Sequence, residues 1–313
     1  MVTRTFPLLV LPYLALCNVL DLFTLASIIH FSFCTIRTQR LATRKPNGKL
    51  EIILKAQKQP EFYLRLNNQQ MYKFVISPTS PFLPSPNWRQ ISLNGMVVVS
   101  STMPSLGFTK TFWDDVLNGI EKVGTYITGL LKSPITEIQF LSENNMIQVI
   151  DWVASKQKSI ENCSFGTTTT PDRYLTHLLT NLRITDHFDL IVKPFGLWLT
   201  VDHLLKFNCQ YLDLELAMIR SKDLNQFLKH WQNGGCDSLK FLRAEKSLRG
   251  WTNITKGIKV EKVPNTVWRS YPGRRGGEDI ITQESGGRDI KRNDGTIGTI
   301  FLRQGVFRFA VPL

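Results

Sequence analysis

Residues 135–245 alternate short strand-like segments with amphipathic helical segments, and this alternation restricts the fold more than any other feature of the chain. The strand-like segments recur at intervals of 25, 27, 23 and 28 residues, near Ile138, Cys163, Leu190, Asp213 and Phe241. Intervals of this size are typical of leucine-rich repeats. Strands joined through helices by short links lie parallel, with right-handed crossovers. We therefore expect a stack of β-α units similar to leucine-rich repeats, because one unit alone cannot bury its apolar face.

The intervening segments carry apolar residues at helical spacing, and a residue suited to helix capping precedes each one. The predicted caps are Ser142, Thr170, Thr200 and Ser221. The last helix is expected to bury Leu224, Phe227, Leu228 and Trp231.

Strand signals dominate the remaining chain after residue 47. The clearest runs between residues 47 and 133 are Glu51–Leu54, Phe62–Arg65, Tyr72–Ile76 and Met96–Ser100. Near the carboxyl end, Asn293-Asp294-Gly295 is typical of a hairpin turn. We expect a β-hairpin or meander over about residues 286–312, preceded by a surface loop at Pro272–Gly277.

The first apolar block, residues 6–34, has two interpretations. The first interpretation is a secretion leader or membrane anchor, because Arg4 precedes the block and Ala15-Leu16-Cys17 resembles a cleavage site. Proline and polar residues interrupt the block, whereas an anchor needs ~20 mostly apolar residues. The interruptions are Pro7, Pro12, Asn18, Asp21 and His30.

Short helices are the interpretation that the periodicity favours. Leu16, Val19, Leu20 and Phe23 follow Pro12 on one helical face. Thr24 is then suited to cap a second short helix.

Charge and composition restrict the partners. The 313 residues include 42% hydrophobic residues, typical of a folded protein with a sizeable core, and carry a net charge of +13. Residues 1–60 have 8 basic and 2 acidic side chains, residues 61–254 have 19 and 17, and residues 255–313 have 11 and 6. A basic balance suits an acidic protein, a phosphorylated peptide or nucleic acid. No stretch interleaves basic and aromatic residues as a base-stacking platform would, so nucleic acid is not the expected partner.

The sequence contains no pattern of residues that indicates catalysis. Nucleophile-elbow, phosphate-loop and metalloprotease motifs are absent, so we expect no enzymatic activity and no cofactor. The odd number of cysteines, without metal-ligand spacing, predicts free thiols in a reducing compartment and no metal site. The cysteines are Cys17, Cys34, Cys163, Cys209 and Cys236.

Two parts of the chain resemble known families. Leu11-Pro12 with the helical spacing of Leu16, Leu20 and Ile28 resembles an F-box, a three-helix motif that binds the Skp-type adaptor of cullin–RING ubiquitin ligases. Four later segments are similar to the F-box-associated domain of the type expanded in nematodes. They are Phe195–Leu205, Phe207–Cys209, Ser221–Trp231 and Gly286–Thr296.

The resemblance implies three parts: an F-box at residues 6–46, a strand-rich connecting region at 47–133 and an F-box-associated domain at 134–313. The implied fold is mixed, α+β or α/β. The implied function is substrate recognition for an SCF-type (Skp adaptor–cullin–F-box) ubiquitin ligase in cytoplasm or nucleus, with catalysis in other subunits. Adaptor contact is expected through Leu11, Pro12, Leu16, Leu20 and Ile28, and target contact through the carboxyl-terminal domain. The alternatives are a basic binding or scaffold module that takes an acidic protein or nucleic acid without ubiquitination, and a secreted protein with a cleaved leader.

Overall fold

The computed structural model describes residues 8–79, 88–103, 107–167, 172–192, 199–246, 251–275, 278–303 and 305–313. Over these residues the protein has a mixed, strand-rich α+β fold with eight α-helices. The mixed class predicted from the sequence is therefore confirmed. The chain divides into two compact units, Met1–Ile135 and Thr136–Leu313.

The first unit begins with three short helices after a single 3-10 turn at Leu8–Val10. They are α1 (Tyr13–Asp21), α2 (Leu25–Ser32) and α3 (Ile36–Ala42). The predicted cap of α2 is confirmed, because Thr24 Oγ1 accepts a hydrogen bond from the amide of Ser27 at 3.2 Å. Thr35 caps α3 in the same way, and its own amide donates to Thr38 Oγ1 at 2.9 Å.

A six-stranded sheet follows in the first unit. Its strands are β1 (Leu50–Ala56), β2 (Glu61–Leu66), β3 (Gln69–Pro78), β4 (Trp88–Leu93), β5 (Met96–Met103) and β6 (Phe108–Trp113). Their order within this unit is β1-β2-β3-β6-β5-β4. Neighbours run antiparallel except β3 and β6, which are parallel. All four strands predicted here are confirmed, whereas β4 and β6 were not predicted.

The sixteen-residue helix α4 (Val116–Leu131) packs on one face of this sheet and was also not predicted. Asp115 caps it, with Oδ1 accepting from the amide of Leu117 at 2.9 Å. Its apolar face includes Ile120, Val123 and Ile127, all at most 2% exposed. Burial of this stripe against the sheet supplies much of the core of the unit.

The second unit alternates strands and helices. Its elements are β7 (Glu137–Phe140), α5 (Met146–Lys156), β8 (Ser159–Thr167), α6 (Asp172–Asn181), β9 (Arg183–Val192), α7 (Val201–Lys206), β10 (Tyr211–Ile219), α8 (Ser221–Gln232) and β11 (Phe241–Lys246). The five strands are parallel and in sequential order. One buried row crosses all five strands through Ile138, Cys163, Phe188, Leu212 and Leu242.

Helix starts in this unit differ partly from the sequence predictions. Thr200 occupies the N-cap of α7 as expected. The cap position of α5 belongs to Asn145 instead of Ser142, and that of α8 to Arg220 instead of Ser221. Arg220 Nε donates to Asp223 Oδ2 at 2.6 Å, which joins the cap residue to the first turn. The predicted cap Thr170 lies outside the described residues.

The carboxyl-terminal strands are β12 (Glu261–Lys262), β13 (Trp268–Arg275), β14 (Glu278–Ser285), β15 (Arg288–Lys291), β16 (Ile297–Arg303) and β17 (Val306–Ala310). The expected meander is confirmed in β15, β16 and β17, with Gly295 at φ 94° in the first turn. Strand β17 pairs antiparallel with β11. The prediction of a loop from Pro272 was wrong, because residues 272–275 belong to β13, which pairs only with β14 among the described residues.

Candidate functional site

Several large apolar side chains are exposed on the first turns and first helix of the chain. Val10 is 79% exposed, Leu14 77% and Leu22 84%, and Tyr13 is 70% exposed. We call these four residues the amino-terminal apolar surface. Side chains of this kind on a short helical module favour a protein partner, since burial of apolar area is the main driving force of association.

Pro12 sets the direction of α1 and thereby the position of this surface. It occupies the N-cap with φ −52° and ψ 145°, and its carbonyl accepts from the amide of Leu16 at 2.9 Å. Leu16 and Leu20, one helical turn apart, are only 3% and 1% exposed, so the opposite side of α1 is fixed in the core. Leu14 is left on the outer side, which also carries Asn18 and Asp21.

The five residues predicted to contact an adaptor do not form one surface. Pro12 is exposed and Leu11 is half-buried. Leu16, Leu20 and Ile28 are buried at 3%, 1% and 4% exposure. These three residues hold the helices together in the folded unit, and adaptor contact through them stays a prediction.

The exposed residues do not follow from apolar periodicity, because they lie outside the one apolar face of α1. Leu14 stands on the polar side of α1, at positions i, i+4 and i+7 with Asn18 and Asp21. An apolar residue on an otherwise polar helical face is the signal that could have identified it.

Ionic and polar contacts fix the helices beneath the surface. Asp21 at the end of α1 forms an ion pair with Arg44, whose amide donates to the carbonyl of Leu130 at 3.0 Å. Next to this pair, a cleft of about 310 Å³ opens at the turn between α1 and α2. Its lining includes Phe23, Thr24, Pro46, Leu66 and Met71. The lining is mixed, because Lys45 and Asn47 join the Asp21–Arg44 pair among the apolar side chains.

Helix α2 is held by buried polar contacts to the rest of the first unit. Ser32 shares a hydrogen bond with Tyr126 of α4, and His30 Nε2 lies 3.0 Å from the hydroxyl of Tyr72 on β3. Burial raises the pKa of both tyrosines and lowers the pKa of His30. All three groups are therefore neutral near pH 7, and the contact region is a hydrogen-bonded apolar core.

The structure shows where the remaining titratable candidates lie. His177 contacts Asp151 at 2.6 Å, and His203 lies 3.0 Å from Asp172. Within the described ranges, no group of three or more His, Cys, Asp or Glu side chains is arranged to hold a metal ion. Burial raises the pKa of Cys209 to about 12, so this thiol is protonated at neutral pH.

The part of the chain that the structure describes has no helix of the length and apolarity needed to cross a membrane.

Comparison with known proteins identifies one segment of the second unit. Residues 170–244 match the family described as F-box associated, and they include α6, β9, α7, β10 and α8. A stretch of 113 residues is 26% identical to an uncharacterized protein of Caenorhabditis elegans, covering 34% of this chain and 25% of that relative. The alignment thus spans about a quarter of the relative's length. No solved structure matches the chain. The carboxyl-terminal unit is therefore similar to the F-box associated family over residues 170–244.

Proposed function

We propose that this chain is a substrate-recognition subunit of an SCF-type ubiquitin ligase. The observation that carries the proposal is the F-box associated segment at residues 170–244, in the same chain as a three-helix module with exposed apolar side chains. In this arrangement the amino-terminal helices bind a Skp-type adaptor, and through it a cullin. The F-box associated unit binds a target protein.

Adaptor binding is assigned to the amino-terminal apolar surface. Val10, Tyr13, Leu14 and Leu22 supply exposed apolar area, and a few such residues dominate the affinity of a typical interface. Leu11 and Pro12 set the entry into α1. Leu16, Leu20 and Ile28 act by packing the helices that present the surface.

The chain itself has a non-catalytic role in this proposal. It brings a target close to ubiquitin-transfer chemistry in other subunits, and proximity alone accelerates a reaction between two bound partners. Such a subunit works in the cytoplasm or nucleus, where thiols stay reduced. The five cysteines are free, which is compatible with that environment.

Co-expression with a Skp-type adaptor and affinity capture tests the proposal. The wild-type chain should retain the adaptor, and the double variant Leu11→Ala with Pro12→Ala should bind it at least ~tenfold more weakly, or ~1.4 kcal/mol. A thermal melt of both proteins shows whether the second unit keeps its fold. The proposal fails if the wild-type chain captures no adaptor, or if the folded double variant captures it equally well.

A further inference from the structure

The six-stranded sheet of the first unit has a second face, turned away from α2 and α4. Side chains alternate along each strand: Tyr72, Phe74 and Ile76 of β3 are buried on the helix side. Lys73 of β3 and its register partner Phe108 of β6 therefore lie on the opposite face. We call this the helix-free face. The exposed side chains Val97, Val99 and Met103 of β5 continue it toward the sheet edge, at 63%, 38% and 43% exposure.

Aromatic rings and lysines alternate across this face. The ammonium of Lys73 lies 5.5 Å from the ring centre of Tyr63 on β2 and 5.4 Å from that of Phe108 on β6. Two residues further along β6, Lys110 lies 5.4 Å from the ring of Phe112. Phe108, Lys110 and Phe112 alternate along one face of β6, and the pairing of strands adds Lys73 of β3 and Tyr63 of β2 to them.

A fourth ring extends the platform to the outer strand. Trp88 of β4 contacts Phe112, with ring centres 4.6 Å apart and planes inclined by 32°. Trp88 pairs with Ser101 of β5, which in turn pairs with Lys110 of β6. The contact between Trp88 and Phe112 therefore joins β4 to β6 across β5, which itself contributes no ring and no lysine to this face.

Negative charge is missing from this part of the sheet. The sequence contains no Asp or Glu from Gln69 to Trp113, a stretch that includes β3, β4, β5 and β6. The acidic residue on this face nearest to Lys73 is Glu61 of β2, whose Oε1 lies 3.3 Å from the Lys73 ammonium and whose Oε2 accepts from Tyr63 at 2.5 Å. No carboxylate of β3 to β6 therefore lies beside Lys110, and the next acidic residues along the chain are Asp114 and Asp115, after the end of β6.

We propose that the helix-free face binds single-stranded nucleic acid. Flat bases stack on aromatic rings, and lysines placed beside the rings neutralise the phosphates that link the bases. An acidic polypeptide would need the lysines but not the rings. A duplex hides its base faces, so it offers nothing that can stack on the rings. This binding is separate from the adaptor interaction proposed above.

The test uses the full chain and a fluorescein-labelled oligo(dT) or oligo(U) of about 15 nucleotides, a length within the known range of single-strand sites. Fluorescence anisotropy should show binding that weakens as salt rises. Phe108→Leu, which removes a ring but keeps apolar volume, should weaken binding about fivefold or more, and Phe108→Trp should retain it. Lys110→Gln should reduce the slope of log K against log salt by about 0.7.

Lys122→Gln is the matched control, because Lys122 is exposed on α4, away from this face, and loses the same charge. Thermal melts and adaptor capture of each variant show that fold and adaptor binding are intact. The proposal is overturned if the wild type binds no oligonucleotide, or if Phe108→Leu and Lys110→Gln bind as tightly as Lys122→Gln. Equal binding of a duplex, or competition by poly-glutamate at equal charge concentration, also overturns it and indicates purely electrostatic or acidic-polypeptide binding.

Discussion

The hydroxyl of Ser32 on α2 shares a hydrogen bond with the phenol of Tyr126 on α4, and both side chains are buried. Ser32 also donates to the carbonyl of Ile29 at 2.6 Å, so Tyr126 is the donor to Ser32. Tyr126→Phe leaves the serine oxygen without this donor, and we expect a loss of ~1–3 kcal/mol in the free energy of unfolding. Urea unfolding measures it. Tyr13→Phe removes the same atom from an exposed ring and should change little; equal effects of both variants would contradict the prediction.

Leu228 on α8 is fully buried, as expected from the sequence. Leu228→Ala should lower the free energy of unfolding by ~2–5 kcal/mol, because it leaves a cavity in the core of the second unit. Chemical denaturation monitored by circular dichroism gives the value. Gln226→Ala, at an exposed position of the same helix, is the control. A loss below ~0.5 kcal/mol in Leu228→Ala would mean that the site collapses or that α8 packs differently.

Leu14 and Ile281 are similarly exposed, at 77% and 69%, but lie in different units. Leu14→Asp should weaken adaptor binding at least ~tenfold, because a charge desolvated in an apolar contact is costly. Ile281→Asp makes nearly the same chemical change outside the amino-terminal apolar surface and should bind normally. Titration of labelled adaptor measures both. If Leu14→Asp and Ile281→Asp bind the adaptor with equal affinity, Leu14 does not belong to the interface.

Burial lowers the pKa of His30 from its ordinary 6.5. The unfolded chain then binds a proton at higher pH than the folded chain, so stability is lost as the pH falls below about 6.5. His30→Gln should therefore lose less stability between about pH 7 and about pH 5 than the wild type does. Part of the dependence should remain, since burial also lowers the pKa of His203. Unfolding curves of both proteins at both pH values measure these losses. If His30→Gln loses as much stability as the wild type over this interval, the prediction is wrong.

Asp289 joins the β13–β14 ribbon to the meander. Its carboxylate accepts from Arg269 Nη1 at 2.8 and 2.9 Å and from Thr299 Oγ1 at 2.8 Å. Asp289→Asn should lower stability by ~1–3 kcal/mol, because it replaces charged hydrogen bonds in a largely buried place. Hydrogen exchange should show the loss as faster opening of residues 268–272. Asp294→Asn, in an exposed turn, should leave exchange there unchanged, and identical exchange in both variants would refute the assignment.

Local patterns predicted the second unit well because its strands and helices are regular and short-linked. The expected strand centres Ile138 and Cys163 are direct register partners, and each later centre lies within two residues of the observed row. Helix starts were less accurate. Asn145 adopts φ 58° at the start of α5, a conformation that asparagine tolerates and that a search for Ser and Thr caps does not find.

Local patterns show only part of the helix-free face, the alternation of Phe108, Lys110 and Phe112 in β6. The other residues come from four more strands, β2 to β5, and only the register places Lys73 beside Phe108 and Lys110 beside Ser101. Helix α4 could have been predicted, since Ile120, Val123 and Ile127 follow the capping residue Asp115 at helical spacing. The exposure of Leu14 depends on how α1 docks, which tertiary packing decides.

Strand β17 lies between β11 and β16, so the sheet of the second unit cannot be completed until the last strand of the chain has been synthesised. During translation, β11 emerges long before residues 306–310, so its outer edge stays without its native partner until those residues leave the ribosome. An open strand edge invites pairing with other chains. A nonsense mutation after β11 should therefore yield a truncated protein in which this edge of β11 stays unpaired. We expect that protein to aggregate and to be degraded by cellular quality control.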